Sequence, residues 1–273
     1  MKTVSVPQQH DPDALVCCLG EGSKIKTIGL GGIGAIVVHY LSLFLHSLGI
    51  PIRLVLVDGD EYQPRNIQRV AFSTLGNKAE VKAEEINRLL RPSAVSVMAI
   101  PDYVGENNIY KLIRDGDHVF LCVDNHPTRK LVADHCARLE NVALFNGGND
   151  GVDPPGERGT YGDVQIAIRR DGKDVTLPIA RFHPEIHNPA GLVPTKENCL
   201  QQALSTPQIL FANLGVASAM LSAFFAYTCG RLTYQEVKLD ILDARMLPQF
   251  PLPPDGCPEP LPAPHGECGP SES

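Results

Sequence analysis

Apolar and polar positions along the chain follow two rhythms. Short, nearly continuous hydrophobic runs alternate with longer stretches in which apolar residues recur every three or four positions. Ile25–Leu30 reads as a buried strand and Ala35–Leu48 as a helix stopped by Gly49 and Pro51. Arg53–Val57 predicts a second strand, ending at Asp58. Asn77 is placed to cap a helix, with Glu80 three residues on to complete a capping-box pair, and that helix runs to about Leu90, ahead of Pro92. Ala94–Ile100 is a strand, Asn107–Ile113 a short helix, His118–Val123 a strand ending at Asp124, Thr128–Leu139 a helix and Ala143–Asn146 a strand. Strands alternating with helices imply an α/β fold, Rossmann-like, with a mostly parallel sheet covered by helices on both faces.

The rhythm changes at Gly147. Gly and Pro crowd residues 147–162, after which Val164–Arg169 and Asp174–Leu177 flank Arg170-Asp171-Gly172-Lys173, the signal of an antiparallel hairpin extension. Residues 179–206 carry no clear period and read as an irregular crossover excursion. A long apolar helix is expected over Pro207–Cys229 and a last strand over Val237–Leu242. The chain thus reads as one domain over residues 1–246. From Leu247 onward, nine of 27 residues are proline, the composition of a disordered tail.

Two features of composition narrow the function classes. A net charge of −7 across 273 residues argues against a protein that wraps nucleic acid. The 21 uncharged residues of Ile209–Cys229 are long enough to span a bilayer. Their Ala, Ser and Gly content, with Asn213 among them, suits a helix packed inside a protein better, so no membrane span is expected. The eight cysteines form no C-x-x-C pair and read as reduced thiols of a cytoplasmic protein, and no zinc is expected. His183 and His187 form an H-x-x-x-H pattern without an evident further ligand.

The candidate chemistry begins at Gly29-x-Gly31-x-x-Gly34, where a strand ends and a helix opens. Glycines there let backbone N–H groups approach a phosphate, and the helix N-terminus favours its charge. Asp58, 24 residues past Gly34, ends the next strand and can accept from a ribose. An NAD(P)-dependent oxidoreductase would share these features. Asn66, Arg69 and Lys78, a neutral donor and two cations, follow the carboxylate closely; such groups stabilise charge building on a phosphate under attack. Lys82 lies one turn beyond Lys78 and could reach the same phosphate.

Taken together, Gly-x-Gly-Gly-Ile-Gly, Asp-x-Asp, Asn-x-x-Arg, Gly-x-Lys-Ala and the "CVDN" of residues 122–125 are similar to the ThiF/MoeB/HesA-like branch of the ubiquitin-activating superfamily, clearly over residues 25–150 and loosely over 195–245. That resemblance implies that Gly29, Gly31, Gly32 and Gly34 line the phosphates of ATP, that Asp58 holds the ribose, and that Asn66, Arg69 and Lys78 contact the triphosphate. It further implies that Asp124 holds Mg²⁺. The implied reaction is adenylation of the C-terminal carboxylate of a small ubiquitin-like (β-grasp) or sulfur-carrier protein, docked on the sheet and hairpin region of residues 164–178. Cys199 could then accept the activated carboxyl group as a thioester with AMP leaving, or react with it as a persulfide once a sulfur donor has supplied the outer sulfur. The resemblance also implies a homodimer. In dimeric relatives an arginine upstream of the glycine turn completes the site, but no Arg precedes Arg53 here, and Lys24 or Lys26 could replace it. A nucleotide-binding scaffold with little catalysis is the alternative that this departure raises.

Overall fold

The structure is a computed structural model that describes residues 15–68, 71–153, 157–181, 183–195 and 208–251. In chain order the first half comprises β1 (Lys24–Ile28), α1 (Gly32–Ser47), β2 (Ile52–Val57), β3 (Glu61–Tyr62), β4 (Gly76–Asn77), α2 (Lys78–Leu89), β5 (Val95–Ile100), α3 (Ile109–Leu112), β6 (Asp117–Leu121) and α4 (His126–Cys136). The second half adds β7 (Val142–Asn149), β8 (Val152–Asp153), β9 (Glu157–Arg158), β10 (Tyr161–Arg170), β11 (Lys173–Asp174), α5 (Pro184–His187), α6 (Leu210–Thr228), β12 (Tyr234–Asp240) and β13 (Arg245–Pro251).

The main sheet runs β13-β12-β10-β7-β6-β1-β2-β5. From β5 to β7 every pairing is parallel, which the intervening helices permit, whereas β10, β12 and β13 are antiparallel. Helices α1 and α6 cover one face. Phe120 and Phe145 stack on each other there, and both meet Phe224 of α6. On the other face α3, α4 and α5 close a second apolar layer around Val119, Leu121, Val132 and Ile186.

Two expectations change. The hairpin's return arm is only Lys173–Asp174, while its first arm is ten residues long and fills the interior of the sheet between β7 and β12. The proline-rich tail begins later than its composition suggested, because Leu247 and Pro248 pair with Lys238 and Val237. Those prolines are tolerated because β13 is the edge strand, where a missing N–H need cost no ladder bond. Residues 252–273 lie outside the described residues. Helix α6 is long and apolar enough to cross a bilayer, yet half of it is buried against α1, β7 and β10, the packing of a core helix.

Candidate functional site

The C-terminal ends of β1, β2 and β6 meet at one crevice, where a parallel sheet binds its ligands. Gly29 N–H donates to Val57 O at 2.9 Å, and Cys122 N–H donates to Ile28 O at 2.8 Å. Gly29 takes φ +85°, and a Cβ there would stand 2.9 Å from Cys122 O. A Cβ on Gly34 would be driven into the Gly29 carbonyl oxygen, and one on Gly32 into the Asn213 amide. These three glycines are therefore required by the protein's own packing. Gly31 is different: nothing lies within 4 Å of its missing Cβ, and it stands at the N-cap of α1 without a side chain to cap the helix. No side chain caps the first-turn N–H groups of α1, an arrangement suited to an anion.

Asp58, at the end of β2, is 8% exposed, and both its oxygens are used: Oδ2 accepts from Leu30 N–H at 2.5 Å and Oδ1 from Asp60 N–H at 2.8 Å. It therefore braces the glycine turn from below, keeping a second lone pair on each oxygen. Burial raises its carboxyl above the usual range, and Lys78 works against that shift.

Asn77 places the lysine. Its Oδ1 accepts from Ala79 N–H and Glu80 N–H, capping α2, while its Nδ2 donates to Asp58 O and Asp60 O. One side chain thus fixes the start of α2 to the loop after β2, and Lys78 is left beside the acids. Lys78 Nζ lies 2.6 Å from Asp60 Oδ2 and is 6% exposed. Burial opposes its charge, but Asp58, Asp60 and Asp124 outweigh burial and hold its pKa above the ordinary value. Lys82 diverges. It pairs with Glu85 at 2.5 Å, donates to Ala71 O at 3.3 Å and sits 4.4 Å from the centre of the Phe72 ring. One helical turn separates the lysines, yet only Lys78 faces the crevice.

Asp124 follows β6. Helix α4 is capped by its neighbour Asn125, whose Oδ1 accepts from Thr128 N–H at 2.9 Å. Asp124 is released from that duty, stays exposed and accepts no hydrogen bond among the described residues. An exposed carboxylate at a strand end offers the hard oxygen donor that Mg²⁺ takes beside phosphate oxygens, so the residue present fits that ion.

Asn66 follows β3 in a 3₁₀ turn, where its Oδ1 accepts from Gln63 N–H at 2.9 Å. Arg69 and Cys199 lie outside the described residues. Lys26 is removed as the substitute for an upstream arginine: it lies buried in β1, 3.7 Å from Asp117, where burial lowers its pKa.

Three further features support the crevice or border it. Asp60, beyond its bond to Lys78, accepts from the Tyr103 hydroxyl at 2.5 Å. Arg129, buried in α4, donates to Val123 O at 3.0 Å and Gly147 O at 3.4 Å, tying together the chain after β6 and β7 behind Asp124. Its place one turn into the helix after "CVDN" was the available signal. On the α5 side, Asp163, His183 and Glu236 bring potential ligand atoms within 4.8 Å of one another. His183 spends both ring nitrogens on Glu185 at 2.9 Å and Glu236 at 3.0 Å, however, and its hydrogen bond to Glu236 raises its pKa despite burial. Both ring nitrogens are thus already engaged, and Gln165 Nε2 lies 3.2 Å from His183 Nε2.

The sequence matches the ThiF family over residues 21–222. It is 32% identical over 127 residues to the SAMP-activating enzyme E1 of Haloferax volcanii, covering 46% of this chain and 45% of that protein. It is 35% identical over 116 residues to the adenylyltransferase and sulfurtransferase MOCS3 of Mus musculus, covering 42% of this chain and 24% of that one. The chain therefore spans less than half the length of these relatives. Among solved structures, E. coli MccB with AMPCPP and MccA superposes with a TM-score of 0.60 at 19% identity, over 85% of this chain and 65% of that one, a likeness of fold. The chain belongs to the ThiF family.

Proposed function

We propose that this protein is an adenylyltransferase that uses ATP and Mg²⁺ to activate the C-terminal carboxylate of a small ubiquitin-like or sulfur-carrier protein. The observation that carries the reading is the meeting of three unlike groups at one crevice: the uncapped α1 N-terminus at Gly31, the charged Lys78 and the unengaged Asp124. In the reaction a substrate carboxylate oxygen attacks the α-phosphorus, the bond from that phosphorus to the bridging oxygen breaks, and pyrophosphate leaves with the bonding electrons. Two anions must meet for this, so positive potential at the crevice stabilises the transition state more than the ground state. The α1 N–H groups would hold the phosphates, and Lys78 would shift from Asp60 toward them. Asp124 would hold Mg²⁺, which supplies further neutralisation of phosphate charge. Asp58 would accept from the ribose with its remaining lone pairs, and Arg69 and Asn66 would reach the triphosphate.

Names among the relatives support the reaction class: one is a SAMP-activating enzyme, another an adenylyltransferase and sulfurtransferase. A hydride-transferring oxidoreductase has no use for Lys78 and a free Asp124 beside the phosphate turn. Onward transfer to Cys199, with AMP as the leaving group, extends the proposal, as does action as a homodimer. ATP–pyrophosphate exchange with candidate β-grasp proteins ending in glycine tests the reading. Exchange that depends on both the partner and Mg²⁺ supports it; tight NADH binding with no exchange overturns it.

A further inference from the structure

Asn213 stands in the first turn of α6 and is 0% exposed, yet neither its Nδ2 nor its Oδ1 has a hydrogen-bond partner among the described residues. A buried amide normally finds partners, and leaving both ends unmade is costly. Its Nδ2 lies over Gly32, the first residue of α1. The orphaned amide therefore borders the same uncapped helix end that opens at Gly31.

A second orphan lies nearby. Asn149 ends β7, and both of its amide atoms are likewise buried without a partner. Phe145 of β7 packs on Phe224 and Tyr227, whereas a Cβ on Gly147 would meet Met220 and Val216. Strand β7 and helix α6 thus run in opposite directions. Asn149, next on the same strand face, comes under the N-terminal turn of α6, where Asn213 stands.

The two unmet ends of each amide discriminate between ligands. A phosphate offers only acceptors and would leave both Oδ1 atoms unsatisfied. A peptide main chain offers an N–H for each Oδ1 and a C=O for each Nδ2. We infer that Asn213 and Asn149 form a subsite for the main chain of a substrate's C-terminal peptide, holding its last peptide units as the carboxylate reaches the nucleotide. The inference rests on the adenylation reading and adds how the substrate is held. It distinguishes a peptide terminus from a free carboxylic acid, which has no peptide N–H to offer.

The test uses the full chain and a synthetic octapeptide ending in Gly-Gly, beside an analogue N-methylated at its last peptide bond. Peptide and MgATP affinities are measured separately by calorimetry for the wild type, Asn213→Leu and Asn149→Leu. Leucine has nearly the shape of asparagine and removes an unmet polar pair, so each variant is expected to fold and to melt no lower than the wild type. The peptide should bind each variant about tenfold or more weakly, the loss of two hydrogen bonds, with ATP affinity unchanged within about twofold. N-methylation should weaken binding to the wild type and not to Asn213→Leu. Peptide that fails to bind the wild type, or binds both variants equally well, overturns the subsite, as does a variant that weakens ATP instead. Lower melting temperatures for both variants would show that buried water already satisfies the amides, and this too would overturn the subsite. Failure of the adenylation reading shows separately, as missing MgATP binding by the wild type.

Discussion

At the residue scale, the crevice is built from side chains whose partners decide what they can do. Lys78 and Asp60 form a pair with one member buried and the other half-exposed. Lys78→Met should cost about 2 kcal/mol in urea unfolding, less than a fully buried pair because Asp60 keeps contact with water. Asp124, with no hydrogen-bond partner among the described residues, should tolerate Asn with stability changed by less than about 0.5 kcal/mol, while pyrophosphate exchange falls about 10²-fold. Unfolding curves set beside exchange rates check both. Away from the site, His118 is buried against Phe224 and Tyr227. Burial pushes its pKa down to about 4. The unfolded chain, where histidine titrates near 6.5, binds more protons across that window, so stability falls with acid. His118 should remove about 2.5 kcal/mol between pH 7.5 and 4.5, and His118→Leu should flatten that slope in urea titrations.

At the element scale, the starts of α1 and α2 shape the crevice. Asn77 caps α2 and bridges to the loop after β2, so Asn77→Ala should cost about 1 to 2 kcal/mol and also release Lys78 from the crevice. The α1 turn separates folding from binding. Gly34→Ala should unfold the turn, because the Gly29 carbonyl occupies the space, whereas Gly31 has φ −75° and open surroundings. Gly31→Ala should melt like the wild type yet bind ATP about tenfold more weakly, by calorimetry. These starts were legible in the sequence because caps and glycine turns are written in neighbouring residues: Asn77 caps α2 as its spacing to Glu80 implied. The divergence of Lys78 and Lys82 was not legible, since it depends on Glu85 and Phe72 holding the second lysine.

At the scale of the whole molecule, the parallel half follows from periodicity, because buried strands and amphipathic helices repeat there. The antiparallel half was only partly legible. Strand β10 has the sequence of one arm of a local hairpin, but its partners are β7 and β12, and β12 lies some seventy residues further along the chain. Local turn chemistry around Gly172 does not report such long-range pairings. Arg129 was hidden for a related reason: a charged residue on a helix reads as a solvated one until the strand ends that it ties together are known. The orphaned amides of Asn149 and Asn213 likewise exist only through tertiary contact.

The central claim is that the Gly31 crevice, Lys78 and Asp124 together direct a carboxylate onto the α-phosphorus of ATP. It is tested most directly by giving the protein MgATP and a partner whose C-terminal carboxylate carries ¹⁸O, then following phosphorus by ³¹P NMR. The account predicts AMP and pyrophosphate, with one ¹⁸O on the AMP phosphorus once the acyl group moves on, and loss of the signal in Asp124→Asn. Release of ADP, or AMP without the label, would contradict it.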